Sequence, residues 1–504
     1  MTDQRTNTSG AGLDREILVL GAVVVLGTIL TILDVTIVNV AIPTLGAEFG
    51  ASISTIQWVL TGYMLAFASV IPLAGWATER FGAKRVWLAS LCLFLLGSAL
   101  SAAAWSIGSL IAFRVVQGLG AGTILPVGQT MLAQAAGPQR MGRVMSVIGV
   151  PMLLGPILGP VIGGAIVDEA SWRWIFLVNL PIGAVALVLA QRLLPDAKPQ
   201  LGQRLDLRGL ALLSPGIALF LYGISEAGSE GGFSSASALL PALAGPALVA
   251  GFVAHAVAAG KDALIDLTLF RRRGFAVAAT TNFVLGLALF GALILLPLYY
   301  QLVRRENPLD TGLLLVPQGV GAAVAMPLAG ALTDRYGARV VVPVGMVLAL
   351  VGTLAFLTVD VDTSYVLLST ALFLVGAGLG STIMPSMAVA FASISRDAVP
   401  RASSALNAIQ RIAGAIGTAL FAIVLQRRLE SGVPSLQGGI EELARLGPLA
   451  QERLAPAIAD AFGETFWIAV ALILVALVPA LMLPRPGAAA SEEPAAEPRE
   501  RRAA

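Results

Sequence analysis

Two charged side chains lie deep within apolar stretches of this chain, the carboxylate of Asp34 and the guanidinium of Arg114. Burial disfavours an ionised carboxylate, whereas a nearby cation favours it. A movement that separates the two groups could therefore load and release a proton. Arg114 keeps its charge, so it needs an anionic or polar partner, and Asp34 is the best candidate. The alternatives are a helix-packing hydrogen bond from Asp34, for example to Thr31, and a permanent structural ion pair.

The segments around these residues are long and apolar enough to cross a lipid bilayer. Of 504 residues, 57% are hydrophobic and only 12% are charged, which leaves too few polar residues for a water-facing surface. A spanning helix needs about twenty apolar residues. The chain offers fourteen such stretches, at about 17–40, 54–76, 86–105, 107–132, 143–167, 174–194, 208–225, 236–258, 275–300, 311–332, 340–359, 365–391, 402–425 and 465–483. We therefore predict an all-α membrane protein with fourteen transmembrane helices.

The even number of spans places both termini on one side of the membrane, and the basic residues indicate which side. Of the 32 Lys and Arg residues, 23 lie in segments on the side of the N-terminus and 7 in segments on the other side. The positive-inside rule therefore predicts that both termini are cytoplasmic. The basic clusters suit anionic lipid headgroups rather than nucleic acid. Cys92 is the single cysteine, which excludes an intrachain disulfide and a cysteine metal site.

One stretch of sequence occurs twice. Residues 72–84 read PLAGWATERFGAK and residues 327–339 read PLAGALTDRYGAR, each in a short turn between two predicted spans. The copies are eight spans apart, whereas a duplicated six-helix unit would give six, so two helices are inserted between the halves. The charges of the turns could latch a cytoplasmic gate, or they could only signal topology. The residues of these gate loops are Gly75, Glu79, Arg80, Gly82, Lys84, Gly330, Asp334, Arg335, Gly337 and Arg339.

These features divide the chain into two six-helix bundles and the segments around them. The predicted parts are a cytoplasmic N-terminus at 1–16, an N-terminal bundle at 17–194, a linker with two inserted helices at 195–273, a C-terminal bundle at 274–483 and a disordered cytoplasmic tail at 484–504. Within the linker, 261–273 is expected to be a helix on the inner membrane surface. Within the second bundle, the external segment 426–464 is expected to be a short helical hairpin or a flexible loop.

The fifth predicted span has an unusual spacing of small residues. Gly155, Gly159 and Gly163 recur at every fourth position, Pro156 and Pro160 follow two of them, and Gly164 ends the run. Small residues let helices approach closely, and proline removes a helix hydrogen bond. We expect this face to slide or bend between two conformations.

The repeated turn resembles the signature loop of the major facilitator superfamily, and the fourteen spans resemble its drug:proton antiporter subfamily. Three further motifs carry this resemblance, namely LDVTIVNVAIP at 33–43, LIAFRVVQGLGAG at 110–122 and GVPMLLGPILGPVIGG at 149–164. The resemblance implies the major facilitator fold, a proton-coupling role for Asp34 and Arg114, and a gating role for the glycines of span 5. The chain departs from the family pattern at Glu79, where Asp is usual, and at Gln410 and Arg411, whose order is reversed.

The energy source separates the possible functions. The chain has no phosphate-binding loop of the GxxxxGK(S/T) type, so a proton gradient remains as the driving force, and no cofactor or metal is expected. We predict a secondary transporter and not an enzyme, a monomer in the cell membrane that exports lipophilic drugs or antibiotics in exchange for protons. The alternative is a carrier of the same fold for an endogenous lipid, a metabolite or a self-made antibiotic. A membrane scaffold is a third possibility, but it would gain little from buried charges.

Overall fold

The computed structural model describes residues 15–137, 140–196, 204–229, 232–233, 235–432 and 448–484. Most of the predicted terminal segments 1–16 and 484–504, part of the linker at 197–203 and the centre of the external segment at 433–447 therefore lie outside the description. Within the described residues the chain is helical and contains no strand. The predicted all-α membrane fold is confirmed.

The N-terminal half consists of seven helices that account for the first six predicted spans. They are α1 (Arg15–Phe49), α2 (Ile53–Phe81), α3 (Ala83–Ala102), α4 (Ile107–Ala136), α5 (Met141–Glu169), α6 (Trp174–Leu177) and α7 (Asn179–Leu193). The sixth span is divided between α6 and α7. Helix α4 packs against α2 and α3, and α5 packs along α1, so the segments that carry Asp34 and Arg114 lie inside one bundle.

Two further helices and two short turns separate the halves. Helices α8 (Leu207–Ser229) and α9 (Ala236–Ala259) pack against each other, as expected for an inserted pair. The predicted surface helix at 261–273 is instead a pair of 3-10 turns, Gly260–Asp262 and Leu267–Arg271. Its apolar residues 263–265 are buried against protein rather than lipid, and Asp266 caps the second turn through the amide of Thr268. These side-chain bonds favour tight turns over a continuous helix.

The C-terminal half contains seven helices for the last six spans. They are α10 (Arg273–Leu302), α11 (Pro308–Tyr336), α12 (Ala338–Leu354), α13 (Tyr365–Gly380), α14 (Ile383–Ala392), α15 (Val399–Gly432) and α16 (Pro448–Leu481). The twelfth predicted span is divided between α13 and α14. Helices α15 and α16 run into the external segment from both sides, so its described parts are helical.

The two repeated turns have the same backbone geometry. Gly82 joins α2 to α3 with φ 87° and ψ 143°, and Gly337 joins α11 to α12 with φ 85° and ψ 152°. Each glycine amide donates to a threonine carbonyl four residues earlier at 2.9 Å. Only glycine adopts such positive φ angles without strain, which explains the residue type at both turns.

The end of the bundle that carries these turns, called the motif end below, is where the halves meet. Helix α5 contacts α11 and α14, and α15 contacts α2 and α4. Thirteen helices in the described part are long and apolar enough to cross a membrane. The remaining predicted span, at 143–167, coincides with the 29-residue α5. All fourteen predicted spans therefore correspond to helical segments.

Candidate functional site

Asp34 lies at the centre of a fully buried polar cluster between α1, α4 and α7. Its Oδ2 accepts a hydrogen bond from Nη1 of Arg114 at 2.5 Å, and its Oδ1 accepts from Gln117 Nε2 at 2.8 Å and from Asn179 Nδ2 at 3.1 Å. The same Nη1 of Arg114 donates to Gln117 Oε1 at 2.7 Å. The two ionic partners and both amides are at most 1% exposed. Three donors thus hold one carboxylate where no water reaches it.

The cluster is fixed from behind by neighbouring helices. Asn179, the first residue of α7, also donates to Ser98 Oγ on α3 at 3.1 Å, and Ser98 donates to the carbonyl of Phe176 on α6 at 2.8 Å. Thr31, the partner considered from sequence, instead donates to the carbonyl of Thr28. The bond between Asp34 and Thr31 is therefore not the arrangement in this structure, whereas the pairing of Asp34 with Arg114 is.

Arg114 contacts residues of α2 as well as Asp34. Its Nε donates to the carbonyl of Val59 at 3.2 Å, and its guanidinium carbon lies 4.1 Å from the ring centroid of Tyr63. Two buried polar atoms here, Arg114 Nη2 and the Tyr63 hydroxyl, have no hydrogen-bond partner among the described residues. Among the hydrogen bonds of the described residues, Oδ2 of Asp34 accepts only the one from Arg114. A withdrawal of that guanidinium would leave Oδ2 without this donor.

Gln117, Asn179 and Ser98 did not emerge from sequence reasoning. A weak signal exists, because each is a polar residue in an apolar stretch, and Gln117 lies one helical turn after Arg114 on α4. Their convergence on Asp34 depends on how α3, α4 and α7 pack, which the spacing of residues along one helix does not reveal.

The glycine face of α5 lies against the part of α1 that carries Asp34. A Cβ at Gly155 would collide with the side chain of Ile32 and one at Gly159 with that of Thr36, while one at Gly163 would lie 3.1 Å from the Cα of Ile37. Gly164 is on another face of α5, and no atom lies within 4 Å of a Cβ placed there.

These close approaches bring α5 onto α1 around Asp34, within one half of the protein. Pro156 and Pro160 lie in the same helix, but their side chains are outside the description. The contacts of α5 with the other half come from its other end, where Gly142 approaches Gly330 and Gly149 approaches Met326 and Met384. The structure therefore separates the glycine face from the interface between the halves.

The first repeated turn contacts the opposite half through Glu79. Both carboxylate oxygens of Glu79 accept from Nε of Arg401 on α15, at 3.0 and 3.1 Å, and Oε2 also lies 3.0 Å from Arg401 Nη2. Nη1 of Arg401 donates to the carbonyls of Lys261 and Ala263 in the linker. Gly75 allows this approach, because a Cβ there would lie 3.0 Å from the Cα of Arg401.

The second turn contacts the opposite half in a different way. Asp334 Oδ1 accepts from the backbone amide of Gly142 at 2.9 Å, and Oδ2 lies 3.4 Å from the amide of Arg143, both in the first turn of α5. The Arg143 side chain adds an ion pair at 3.5 Å. The helix dipole and the free amides of a first turn both favour a carboxylate at this place. Gly330 packs closely against Gly142 and Ser146.

The two turns carry four further charged residues, of which Arg80 is half-buried in the last turn of α2. Lys84 lies 3.4 Å from the exposed carboxylate of Asp196, Arg335 lies beside the ring of its neighbour Tyr336, and Arg339 is exposed. The structure thus brings Glu79 and Asp334 to the interface between the halves. Of the other cations, Arg335 and Arg339 are exposed, whereas the Lys84 side chain is only 15% exposed.

An uncharged seam extends the same interface. Gln129 Oε1 on α4 accepts from Asn407 Nδ2 at 2.7 Å and from Ser403 Oγ at 3.2 Å, both on α15. Ser403 Oγ also lies 2.8 Å from the carbonyl of Pro126. All the side chains concerned are buried. The motif end is therefore closed by ionic, amide and hydroxyl contacts.

A single carboxylate anchors the inserted helices to the linker turn. Asp206 accepts from His255 Nε2 and from the amide of Gly209, both at 2.8 Å, and from the amide of Leu264 at 3.1 Å. Burial by itself raises the pKa of the Asp206 carboxyl, but these three bonds together lower the pKa below its ordinary value. Because Ala263 accepts from Arg401, these bonds connect the inserted pair to the closed motif end.

Arg411, one of the two residues at which the chain departs from the family pattern near span 13, faces the other half. Its guanidinium carbon lies 4.3 Å from the ring centroid of Phe67 on α2, and the side chain is half-buried. The preceding residue, Gln410, lines a cavity of about 120 Å³ within the C-terminal half. In the described part of the chain, no group of three or more potential metal ligands occurs.

Comparison with known proteins agrees with this architecture. The family model of the Major Facilitator Superfamily matches residues 24–418. The chain is 41% identical over 491 residues to the "Multidrug resistance protein B homolog" of Mycobacterium tuberculosis (strain ATCC 25618 / H37Rv), covering 94% of this chain and 91% of the relative. It is 32% identical over 409 residues to the "Probable actinorhodin transporter" of Streptomyces coelicolor, covering 79% and 70%.

Among solved structures, the proton:xylose symporter XylE bound to 6-bromo-6-deoxy-D-glucose superposes with a TM-score of 0.58 at 15% identity, over 93% of this chain and 96% of the other. At this identity the likeness concerns the fold alone. The resemblance found in the sequence is confirmed, and the relatives agree with the drug:proton antiporter subfamily. The chain belongs to the Major Facilitator Superfamily and is a multi-pass membrane transporter.

Proposed function

We propose that this protein exports lipophilic small molecules, drugs or antibiotics among them, in exchange for protons across the cytoplasmic membrane. The single observation that carries the proposal is the buried ion pair of Asp34 and Arg114, both 0% exposed. A buried pair is weak evidence for stability, since apolar residues of similar size often replace it without loss. A carrier that must bind and release a proton has a use for such a carboxylate.

The proton step follows from the unequal surroundings of the two carboxylate oxygens. Gln117 and Asn179 hold Oδ1 in place, while Arg114 occupies Oδ2. When Arg114 moves away, the carboxylate loses its counter-charge in an apolar region and takes up a proton on Oδ2. When Arg114 returns, the proton leaves. Gln117 bonds to both partners, so it can steady the carboxylate while the guanidinium moves.

The gate contacts supply the other part of the cycle. With the N-terminus inside, as the charge distribution predicts, the motif end is cytoplasmic and is closed in this conformation. Opening it to the cytoplasm requires the pair of Glu79 and Arg401 and the contact of Asp334 with α5 to separate. The two halves then rock about a central site, which is alternating access. The proposal includes cytoplasmic termini, contact with membrane lipids, a monomeric unit and no cofactor besides the proton gradient.

A second candidate function is export of one specific compound made by the cell. The relative from Streptomyces coelicolor is named for a single compound, actinorhodin, whereas the mycobacterial relative is named for multidrug resistance. A broad specificity would appear as competition among unrelated lipophilic compounds. A specialised carrier would transport one chemical series only.

The proposal is tested with purified protein in liposomes under an imposed pH gradient. Substrate movement against its own gradient and proton movement in the opposite direction are recorded together, first for wild type and then for Asp34→Asn. The matched control is Glu464→Gln, because the ion pair of this carboxylate with Arg428 is exposed to solvent. Wild type and the control are expected to transport substrate uphill. Asp34→Asn is expected to lose this uphill transport. Substrate movement without proton movement would overturn the proposal.

A further inference from the structure

Arg411 is a second cation inside the membrane region, and its surroundings differ from those of Arg114. These two are the Lys or Arg residues that lie in the interior of a predicted span, since Arg143, Arg192 and Arg208 lie at or near span ends. Arg114 has a carboxylate at 2.5 Å. No carboxylate in the described part of the chain lies within ion-pair distance of Arg411, whose described contact is the face of Phe67. The attraction of an aromatic ring compensates only part of the loss of water around a guanidinium.

The position of Arg411 connects the interface between the halves to the apolar cavity. Arg411 reaches from α15 to α2 of the opposite half, and its neighbour Gln410 forms part of the cavity wall. Gln410 and Gln318 supply the amide groups of that wall, and the other lining residues are apolar, among them Leu289, Leu315, Ala322, Met326, Leu379 and Ile383. The cavity thus offers apolar surface along the length of a compound, and Arg411 is the cation that follows its wall residue Gln410 on α15.

We infer that Arg411, with Phe67 and the cavity beside Gln410, binds the anionic group of lipophilic organic acids. A guanidinium presents a planar set of donors that matches the two oxygens of a carboxylate or sulfonate. An aromatic body would stack on Phe67 and fill the apolar wall. A lipophilic cation would instead be repelled by Arg411 at short distance in a medium of low polarity. This inference rests on the proposed function and assigns that function a class of substrate.

The test compares two probes that differ in one anionic group, 8-anilinonaphthalene-1-sulfonate and N-phenyl-1-naphthylamine. Binding is measured with the purified protein in nanodiscs, without a proton gradient, after subtraction of binding to empty discs. Wild type is expected to bind the sulfonate at least tenfold more tightly than the neutral amine. Arg411→Gln is expected to weaken sulfonate binding about tenfold and amine binding less than twofold. Arg411→Lys, which keeps the charge but loses the planar donors, is expected to lie between the two.

Arg192→Gln is the matched control, since it removes a cation from the exposed end of α7 and is expected to leave both affinities unchanged. Equal weakening of both probes by Arg411→Gln, or tighter binding of the amine by wild type, would overturn the inference. If Arg411→Gln fails to fold, the difference between the probes in Arg411→Lys decides. Failure of the proposed function is distinguishable, because a sulfonate that binds through Arg411 but is not carried uphill leaves this inference standing.

Discussion

Glu79 and Arg401 form a two-pronged ion pair across the two halves of the protein, although 322 positions separate them in the chain. The same guanidinium holds two carbonyls of the linker, those of Lys261 and Ala263. One side chain thus ties together the N-terminal half, the C-terminal half and the segment after the inserted helices. The closed motif end depends on the donors of Arg401 as well as on its charge.

Exchanging the charges of Glu79 and Arg401 is therefore expected to fail as a rescue. In the double variant Glu79→Arg, Arg401→Glu the pair could reform, but a carboxylate would face the two linker carbonyls, which cannot donate. Spin labels on α2 and α15 at the motif end should show an opened motif end in Arg401→Ala and equally in the double variant. Arg401→Lys should be intermediate. Closure restored to the wild-type distance in the double variant would show that charge alone forms the latch.

Asp34→Asn is expected to abolish proton coupling and also to lower stability. An amide must direct its NH₂ group either at Arg114 or at the donors of Gln117 and Asn179, which leaves donors facing each other in a buried site. Loss of one partner of a buried ion pair costs about 3–5 kcal/mol. Melting temperatures of the purified single variants Asp34→Asn and Arg114→Gln should fall, and the double variant should lose less than their sum. Uphill transport by Asp34→Asn that a protonophore still collapses would rule out Asp34 as the coupling group.

The glycine face of α5 predicts a sharp difference between neighbouring positions. Gly159→Ala is expected to destabilise by about 1–3 kcal/mol, because the added methyl group must displace Thr36 and with it the part of α1 next to Asp34. Gly164→Ala meets open space and is expected to be neutral, or stabilising by about 0.5–1 kcal/mol. Thermal unfolding and transport rates of the two variants provide the check. Gly97 would be a poor control, since a Cβ there lies 2.5 Å from the backbone of Gln117. Equal effects at positions 159 and 164 would contradict the packing described here.

The contacts of Asp206 that hold the inserted helices are expected to stabilise the protein less at acidic pH. Its pKa is lowered in the folded protein, so its contribution to stability is complete above the unfolded value of about 4 and is lost as the pH falls through the lower folded value. Melting curves of wild type and Asp206→Asn should therefore differ near neutral pH and converge in acid below about pH 4. The exposed Asp262→Asn is the control and should follow wild type. A difference that grows on acidification would contradict the assignment.

Sequence patterns were sufficient for features that depend on local chemistry. Runs of apolar residues gave the positions of all fourteen spans, and the repeated sequence predicted two short turns, which lie at Gly82 and Gly337 with φ angles of 87° and 85°. The pairing of Asp34 with Arg114 could be anticipated because few charges occur within the spans. The sixth and twelfth spans are each divided in two, and the apolar pattern gave no sign of this.

Features that depend on contacts between distant segments could not be anticipated. Arg401 lies one residue before the predicted span at 402–425, and its sequence surroundings do not point to Glu79. The glycines of α5 predicted a close helix contact, but their spacing does not say that α1 is the partner. The amphipathic pattern of segment 261–273 correctly indicated that its apolar residues are buried. Protein covers these residues, whereas we expected lipid to cover them.

The two copies of the repeated turn bind the opposite half through unlike partners. Glu79 meets only a side chain among its described contacts, whereas Asp334 meets the backbone amides of Gly142 and Arg143 in addition to the Arg143 side chain. A single codon change can remove the guanidinium of Arg401, but most amino-acid replacements at 142 and 143 leave the amides in place. We therefore expect selection to act differently on the two repeated turns. Across related sequences, the residue at 79 should vary together with that at 401, while the carboxylate at 334 should persist even where the residue at 143 changes, because its bond to the amide of Gly142 remains.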